Sequence, residues 1–200
     1  MIFMDKNDIL QQLIERNNGY LLSAIVEENN ISKAALSKYV REKRLERVAR
    51  GVYIADDVWP DELYIMQVRN KAVIFSGETA LYLHGLTDRE YSEICISVPT
   101  GYNASHLKAG NVHVKYAPKN SYALGVCTVP SMSGNMVKVY DRERCICDLI
   151  SDRKKIEVQI LQTAMKEYMT SKDKKLSRLI EYAKKLEMRD EVMKYVEVFE

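Results

Sequence analysis

The stretch that decides the fold runs Ile31-Ser32-Lys33-Ala34-Ala35-Leu36-Ser37-Lys38-Tyr39-Val40-Arg41-Glu42. It continues as Lys43-Arg44-Leu45-Glu46-Arg47-Val48-Ala49-Arg50-Gly51-Val52-Tyr53-Ile54. Ser32 is a good N-cap with apolar Ile31 just before it, which predicts a helix over Lys33–Glu42. At about 100° per residue, Ala35, Leu36, Tyr39 and Val40 share one face of that helix. Lys33, Ala34, Ser37, Lys38 and Arg41 share the other, so the helix packs on one side and offers cations on the opposite one. Leu45, Val48, Val52 and Ile54 flank the Arg50-Gly51 turn, the pattern of a short β-hairpin.

Upstream, Asp5 is an expected N-cap for a helix over Lys6–Arg16 with an apolar stripe of Ile9, Leu10, Leu13 and Ile14. Asn17-Asn18-Gly19 stops it, Tyr20-Leu21-Leu22 enters the next element, and Ser23 is expected to cap a short helix through Ala24–Glu28. Asn29-Asn30 makes a tight turn before Ser32. A short helix, a tight turn and a second helix with a polar outer face form a helix-turn-helix, whose second helix enters the major groove of DNA. A hairpin directly after it is a wing. Residues 1–58 are therefore expected to form a winged helix-turn-helix DNA-binding domain.

Charge supports that expectation by its placement. The 200 residues carry only +2 in total, and residues 1–60 balance nine basic against nine acidic side chains. Between Lys33 and Arg50, however, the net charge is +5 over 18 residues, the electrostatic footprint of a nucleic-acid surface. The expected DNA-contact set is Lys33, Ala34, Ser37, Lys38, Arg41, Lys43, Arg44, Arg47 and Arg50. Arg41 suits a guanine edge, the Ala34 methyl a thymine methyl, and the lysines and wing arginines suit phosphates.

Composition excludes several other classes. Hydrophobic residues at 46% and charged residues at 29% rule out wholesale disorder. No uninterrupted apolar run exceeds four residues, far below the roughly twenty of a membrane helix. Met1-Ile2-Phe3-Met4-Asp5 lacks a basic region and an apolar stretch of signal length, so a cytoplasmic location is expected. Cys95, Cys127, Cys145 and Cys147 are too few for a disulfide scaffold, and Cys145-x-Cys147 has no second ligand pair at zinc spacing.

Asp56-Asp57-Val58-Trp59-Pro60 is the expected boundary to a second domain over 61–200. There the patterns predict a helix over Asp61–Asn70, a buried strand over Ala72–Phe75, and a helix through Glu78–His84 that opens at Ser76 or Gly77 and closes on Gly85. Alternation at Ile94, Ile96, Val98, then Val112, Val114, Tyr116, then Val137, Val139 predicts strands with one buried face. Asp141 caps a helix over Arg142–Ile150, and three more helices follow near Lys155–Met169, Asp173–Leu186 and Arg189–Phe199. The fold class is α/β (α+β): a winged helix-turn-helix followed by a mixed α/β domain with a helical end.

This second domain shows no site chemistry. His84, His106 and His113 have no carboxylate or cysteine at ligand spacing, Gly77-Glu78-Thr79 and Gly101-Tyr102-Asn103 lack the phosphate-loop pattern, and no serine lies in a nucleophile elbow. Asp141, Glu143 and Asp148 form a small acidic group interleaved with Arg142 and Arg144. Lys172, Lys174, Lys175, Arg178, Lys184 and Lys185 read as a solvated basic side of the late helices. No catalytic residue, cofactor or metal is expected.

Three stretches together resemble the AbiEi-type antitoxins of abortive-infection, type IV toxin–antitoxin systems. They are the Ile31–Tyr53 block, Phe75-Ser76-Gly77-Glu78-Thr79-Ala80-Leu81-Tyr82-Leu83-His84-Gly85-Leu86, and Tyr140-Asp141-Arg142-Glu143-Arg144-Cys145-Ile146-Cys147-Asp148-Leu149-Ile150. The latter two look like that family's S-x-x-T/S-A-L…H-G-L and D-R-E-R-T-x-x-D stretches, with Cys145 where the family usually carries a small polar residue. The resemblance implies a first-gene partner of a nucleotidyltransferase-like toxin. It implies an N-terminal domain that binds inverted repeats in its own promoter and represses the operon. It also implies a C-terminal domain that counters the toxin without a stable complex. From the residues alone two alternatives stand beside this one: a nucleic-acid-directed metal enzyme using Asp141, Glu143 and Asp148, and a regulator whose α/β domain holds a small molecule.

Overall fold

The computed structural model describes residues 5–108 and 110–199; Met1–Met4, read above for a leader, lie outside them. Two compact units divide the chain, one of residues 1–70 with 130–135, the other of residues 71–129 with 136–200.

Unit 1 opens with α1 (Lys6–Arg16), whose Leu10 and Ile14 are buried. Asp5 occupies the N-cap position, but its carboxylate makes no capping bond, contrary to expectation. Asn18 and Gly19 turn the chain at positive φ, with the Gly19 N–H donating to the Ile14 carbonyl (2.9 Å). After β1 (Tyr20–Leu22) comes α2 (Ser23–Glu28). Here the expected cap is corrected: Ser23 is the first helical residue and Leu22 holds the N-cap position. The Ser23 N–H donates instead to the Gly51 carbonyl (2.9 Å) at the tip of the hairpin, so its backbone is spent on the wing. α3 (Lys33–Glu42) follows with Ser32 as a true cap, then the hairpin strands β2 (Glu46–Ala49) and β3 (Val52–Ile54).

The strands form an antiparallel sheet of order β1-β3-β2. Both its faces carry buried side chains. Leu21 joins Leu10, Ile14, Val26, Ile31, Leu36 and Tyr39 in the core beneath the three helices. Tyr20, Leu22, Val52 and Ile54 point the other way, onto Tyr64, Ile65 and Val68 of α4 (Glu62–Arg69). The Tyr20 and Tyr64 rings meet edge to face with centroids 4.9 Å apart. The acidic, proline-ended break at 56–60 thus falls within unit 1, because the second face of the wing sheet needs an apolar cover and α4 supplies it.

Asp61 ties this unit together. It is buried, and its Oδ1 accepts from the Tyr64 N–H (3.1 Å), capping α4. Its Oδ2 accepts from the Ser131 hydroxyl (2.5 Å) and the Asn135 side-chain amide (2.8 Å), both buried in the segment 130–135. Its own N–H donates to the Tyr20 hydroxyl (2.7 Å). Asn18 adds side-chain donors to the Gly134 carbonyl (3.3 Å) and to Asn135 Oδ1 (3.2 Å).

Unit 2 is built on a five-stranded sheet of order β6-β5-β4-β8-β7. Its strands are β4 (Ile74–Phe75), β5 (Ile94–Pro99), β6 (Val112–Ala117), β7 (Val126–Pro130) and β8 (Met136–Tyr140). β4 runs antiparallel to β5 and parallel to β8, while β5 and β6 are parallel. The helices are α5 (Gly77–Leu83), the single turn α6 (Lys119–Tyr122), α7 (Arg142–Ser151), α8 (Val158–Thr170), α9 (Leu176–Lys185) and α10 (Arg189–Phe199). Neither β7 nor α6 was expected from the sequence, since no residue of either is fully buried and no apolar alternation marks them. On the edge strand β6, Val112 and Val114 are only half-buried and Tyr116 is 42% exposed, so the buried face expected there is incomplete. α7 lies deep, with Cys145, Ile146, Cys147, Leu149 and Ile150 buried, and α8, α9 and α10 pack around it.

Removing the Asp61 carboxylate leaves the buried Ser131 and Asn135 donors unpaired and uncaps α4. Asp61→Ala is expected to lower the stability of the full chain by roughly 2–4 kcal/mol in urea denaturation, against less than about 0.5 kcal/mol for exposed Asp57→Ala.

Candidate nucleic-acid interface

α3 exists where it does because Ser32 Oγ accepts from the Ala35 N–H (3.3 Å) and because Leu36 and Tyr39 bury into the helical core. The tight turn before it places Asn30 at φ 57, with the Asn29 side chain folded back onto the Ile25 carbonyl (2.8 Å). Tyr39 sends its hydroxyl to Gln11 Oε1 of α1 (2.9 Å). Burial, aided by the Glu15 carboxylate, holds that phenol above its usual range, so it remains a neutral donor pinning α3 to α1. After α3, Arg44 turns at φ 54, and the Leu45 N–H closes on the Val40 carbonyl (2.9 Å), which aims the chain into β2.

With its inner face so engaged, α3 leaves Lys33, Ala34, Ser37, Lys38 and Arg41 exposed, and Lys43, Arg44, Arg47 and Arg50 are exposed as well. Lys33 pairs with Glu27 (3.3 Å) and Lys38 with Glu42 (3.7 Å), both at the surface, where such pairs are worth about 1 kcal/mol or less and exchange readily. The Lys43 ammonium lies 6.0 Å from the Tyr39 ring centre. Arg41, Arg44, Arg47 and Arg50 make no ion pair among the described residues. β2 and β3 pair Arg47 with Tyr53 and Ala49 with Val52, a register shift at Val48 that adds local twist to the wing. Gly51 sits at φ 76, and a Cβ there would lie 3.3 Å from Ser23 Oγ, so the wing turn closes tightly on the start of α2.

The acidic group of unit 2 has other work. Asp141 caps α7 through the Arg144 N–H (2.9 Å) and accepts from the Tyr182 hydroxyl (3.0 Å). Glu143, 4% exposed, accepts from the Tyr168 hydroxyl and the Lys175 N–H, both at 3.1 Å. Asp148 pairs with Arg144 (3.2 Å), whose guanidinium lies over the Tyr140 ring and donates to the Ser121 and Leu124 carbonyls. The three carboxylates are thus separately occupied, and among the described residues no group of three His, Cys, Asp or Glu could hold a metal ion. His84 bonds the Tyr140 carbonyl (2.8 Å) and His113 faces Glu93 (3.5 Å). The four cysteines are free, and burial pushes the thiols of Cys127 and Cys147 up to about 11 and about 12, which disfavours their thiolates at neutral pH. No described helix is long and apolar enough to cross a membrane.

Comparison with known proteins agrees with the fold. A family model described as "Transcriptional regulator, AbiEi antitoxin N-terminal domain" matches residues 7–89, which span the winged helix-turn-helix, α4, β4 and α5. Residues 7–89 are thus similar to the N-terminal domain of the AbiEi antitoxin regulators. No curated protein sequence matches. Among solved structures, the RV2827C protein from Mycobacterium tuberculosis is similar in fold, with a TM-score of 0.54 and 13% identity over 92% of this chain and 75% of that one.

Ser32→Ala removes the α3 cap without touching the exposed face. It is expected to lower stability by about 1 kcal/mol in thermal or urea denaturation.

Proposed function

We propose that the chain is an antitoxin that represses its own operon, binding inverted repeats in its promoter through α3 and the wing. One observation carries the reading. A well-capped second helix presents Lys33, Ala34, Ser37, Lys38 and Arg41 outward, and the adjoining loop and hairpin add four exposed arginines and lysines that make no ion pair among the described residues. The match of residues 7–89 to an antitoxin regulator domain supports it. In this reading α3 occupies the major groove and reads base edges through Arg41, Ser37 and Ala34. The wing grips phosphate, and repression is steric. The partner, following the family resemblance, is a nucleotidyltransferase-like toxin countered through unit 2 without a stable complex.

Lys38 and Arg41 are exposed, so reversing both charges leaves the fold intact. Full-length Lys38→Glu/Arg41→Glu is expected to lose at least 100-fold in mobility-shift affinity for the DNA upstream of its gene, while its circular dichroism and melting stay unchanged. The same variant is expected to release a promoter reporter yet still protect cells co-expressing the toxin. Undiminished DNA binding would overturn the assignment of α3, and loss of both effects would overturn the division of labour between the units.

Arg47 and Arg50 flank a hairpin turn and reach phosphates more easily than base edges. Arg47→Ala/Arg50→Ala should weaken operator and unrelated duplex by similar factors and reduce the salt slope by about one to two units. A collapse of discrimination with nonspecific affinity unchanged would instead make the wing a reader of sequence.

A further inference from the structure

One face of the unit 2 sheet is polar along β5 and β6, where a sheet face under a helix is ordinarily apolar. β5 and β6 pair in parallel register, Cys95 with His113 and Ser97 with Lys115. α7 covers this face: Lys115 bonds Asp152 (2.6 Å) and lies 3.7 Å from Asp148. Ser97 is 1% exposed and Ser76, directly after β4, is 3% exposed. Burying such groups costs free energy unless they are bonded. The helix does not close down on them. Between the start of α5 and the end of α7 it leaves a cavity of about 330 Å³, within the range of small-molecule sites.

The groups on its wall divide into those already satisfied and those not. Burial works against the Lys115 ammonium, yet Asp148 and Asp152 outweigh it and hold its pKa above the usual lysine value, and with Arg144 also on Asp148 two cations balance two carboxylates. The Ser97 and Ser76 hydroxyls share one hydrogen bond (3.0 Å), and when Ser97 donates in it the O–H of Ser76, on the cavity wall, is free to donate to an acceptor in the cavity. Glu78 makes no ion pair among the described residues, for Arg89, which feels its charge, is paired with Glu157 (2.5 Å). Glu93 has His113, at 3.5 Å, as its one ionisable partner among the described residues. At the rim, Lys155 also has no anionic partner among the described residues. Leu81, Val114, Leu149 and Ile156 supply apolar wall between these groups. The wall thus offers two carboxylates to a cation, one buried hydroxyl and one lysine to an acceptor, and apolar surface to a body between them.

We propose that this cavity binds a small zwitterionic amine of amino-acid size. Its ammonium lies against Glu78 and Glu93, its carboxylate takes the Ser76 hydroxyl and Lys155, and its side chain rests on the apolar wall. The site is separate from the DNA-contact set, so its test needs no DNA and its outcome is independent of the promoter-binding reading.

The experiment is thermal-shift and calorimetric titration of the full-length protein with each of the twenty protein amino acids at millimolar concentration, and with putrescine as a cation lacking the carboxylate. One or a few amino acids are expected to raise the melting temperature by about 2 °C or more, and putrescine is not. Glu78→Gln/Glu93→Gln should weaken the calorimetric affinity at least tenfold and Ser76→Ala about threefold. Asp190→Asn, which removes a carboxylate far along the chain on α10, should leave it unchanged. If the double variant folds poorly, Glu78→Gln alone, at a half-buried position, carries the same comparison. No shift with any amino acid, a shift with putrescine alone, or equal affinity in Glu78→Gln and the parent would overturn the proposal.

Discussion

The carboxylate of Asp61 is the interaction on which unit 1 depends. One side chain caps α4, receives Ser131 and Asn135 from a segment some seventy residues away in sequence, and sits on a residue whose N–H holds the Tyr20 hydroxyl. A buried carboxylate is tolerable only when its lone pairs are used, and here several donors use them. That requirement makes the winged helix-turn-helix unit discontinuous along the chain, because the segment 130–135 is a structural part of it.

A second constraint follows from the wing sheet. Three short strands have little apolar surface, and both sides of theirs are committed: Leu21 and Tyr53 toward the helices, Tyr20, Leu22, Val52 and Ile54 toward α4. The inward commitment of α3 through Leu36 and Tyr39 is what leaves its cationic side free. The same packing that stabilises the unit therefore determines which residues can meet an external polyanion, and the hydrogen bond from Ser23 to Gly51 holds the wing in step with the helices.

In unit 2 the segment Asp141-Arg142-Glu143-Arg144 shows how charged residues serve as framework. Asp141 starts a helix, Arg142 reaches Ser171 (3.1 Å), Glu143 gathers Tyr168 and the chain entering α9, and Arg144 holds the turn around Ser121 and Leu124. Gly125 completes the arrangement, for a Cβ there would lie 2.7 Å from Arg144 Cβ. A cluster that reads in sequence as possible metal chemistry is spent on fixing the helical end to the sheet.

What the sequence determined by itself is the local part. Ser32 before Lys33, the 3.6-residue spacing of Leu36 and Tyr39, and the turn at Gly51 specify α3 and the wing, and the limits of α1, α3 and α10 follow directly from such signals. The outward face of the cationic residues was legible for the same reason, since helical phase is a property of near neighbours. Tertiary structure alone decided the rest. It decided that Ser23 spends its backbone on the wing, that α4 covers a sheet on its far side, and that Ser131 and Asn135 answer Asp61. It also decided that the polar face of β5 and β6 is roofed by α7. Each of these depends on residues distant in sequence finding one another, and a hydrogen bond or a buried face across seventy residues leaves no periodic mark on the chain that makes it.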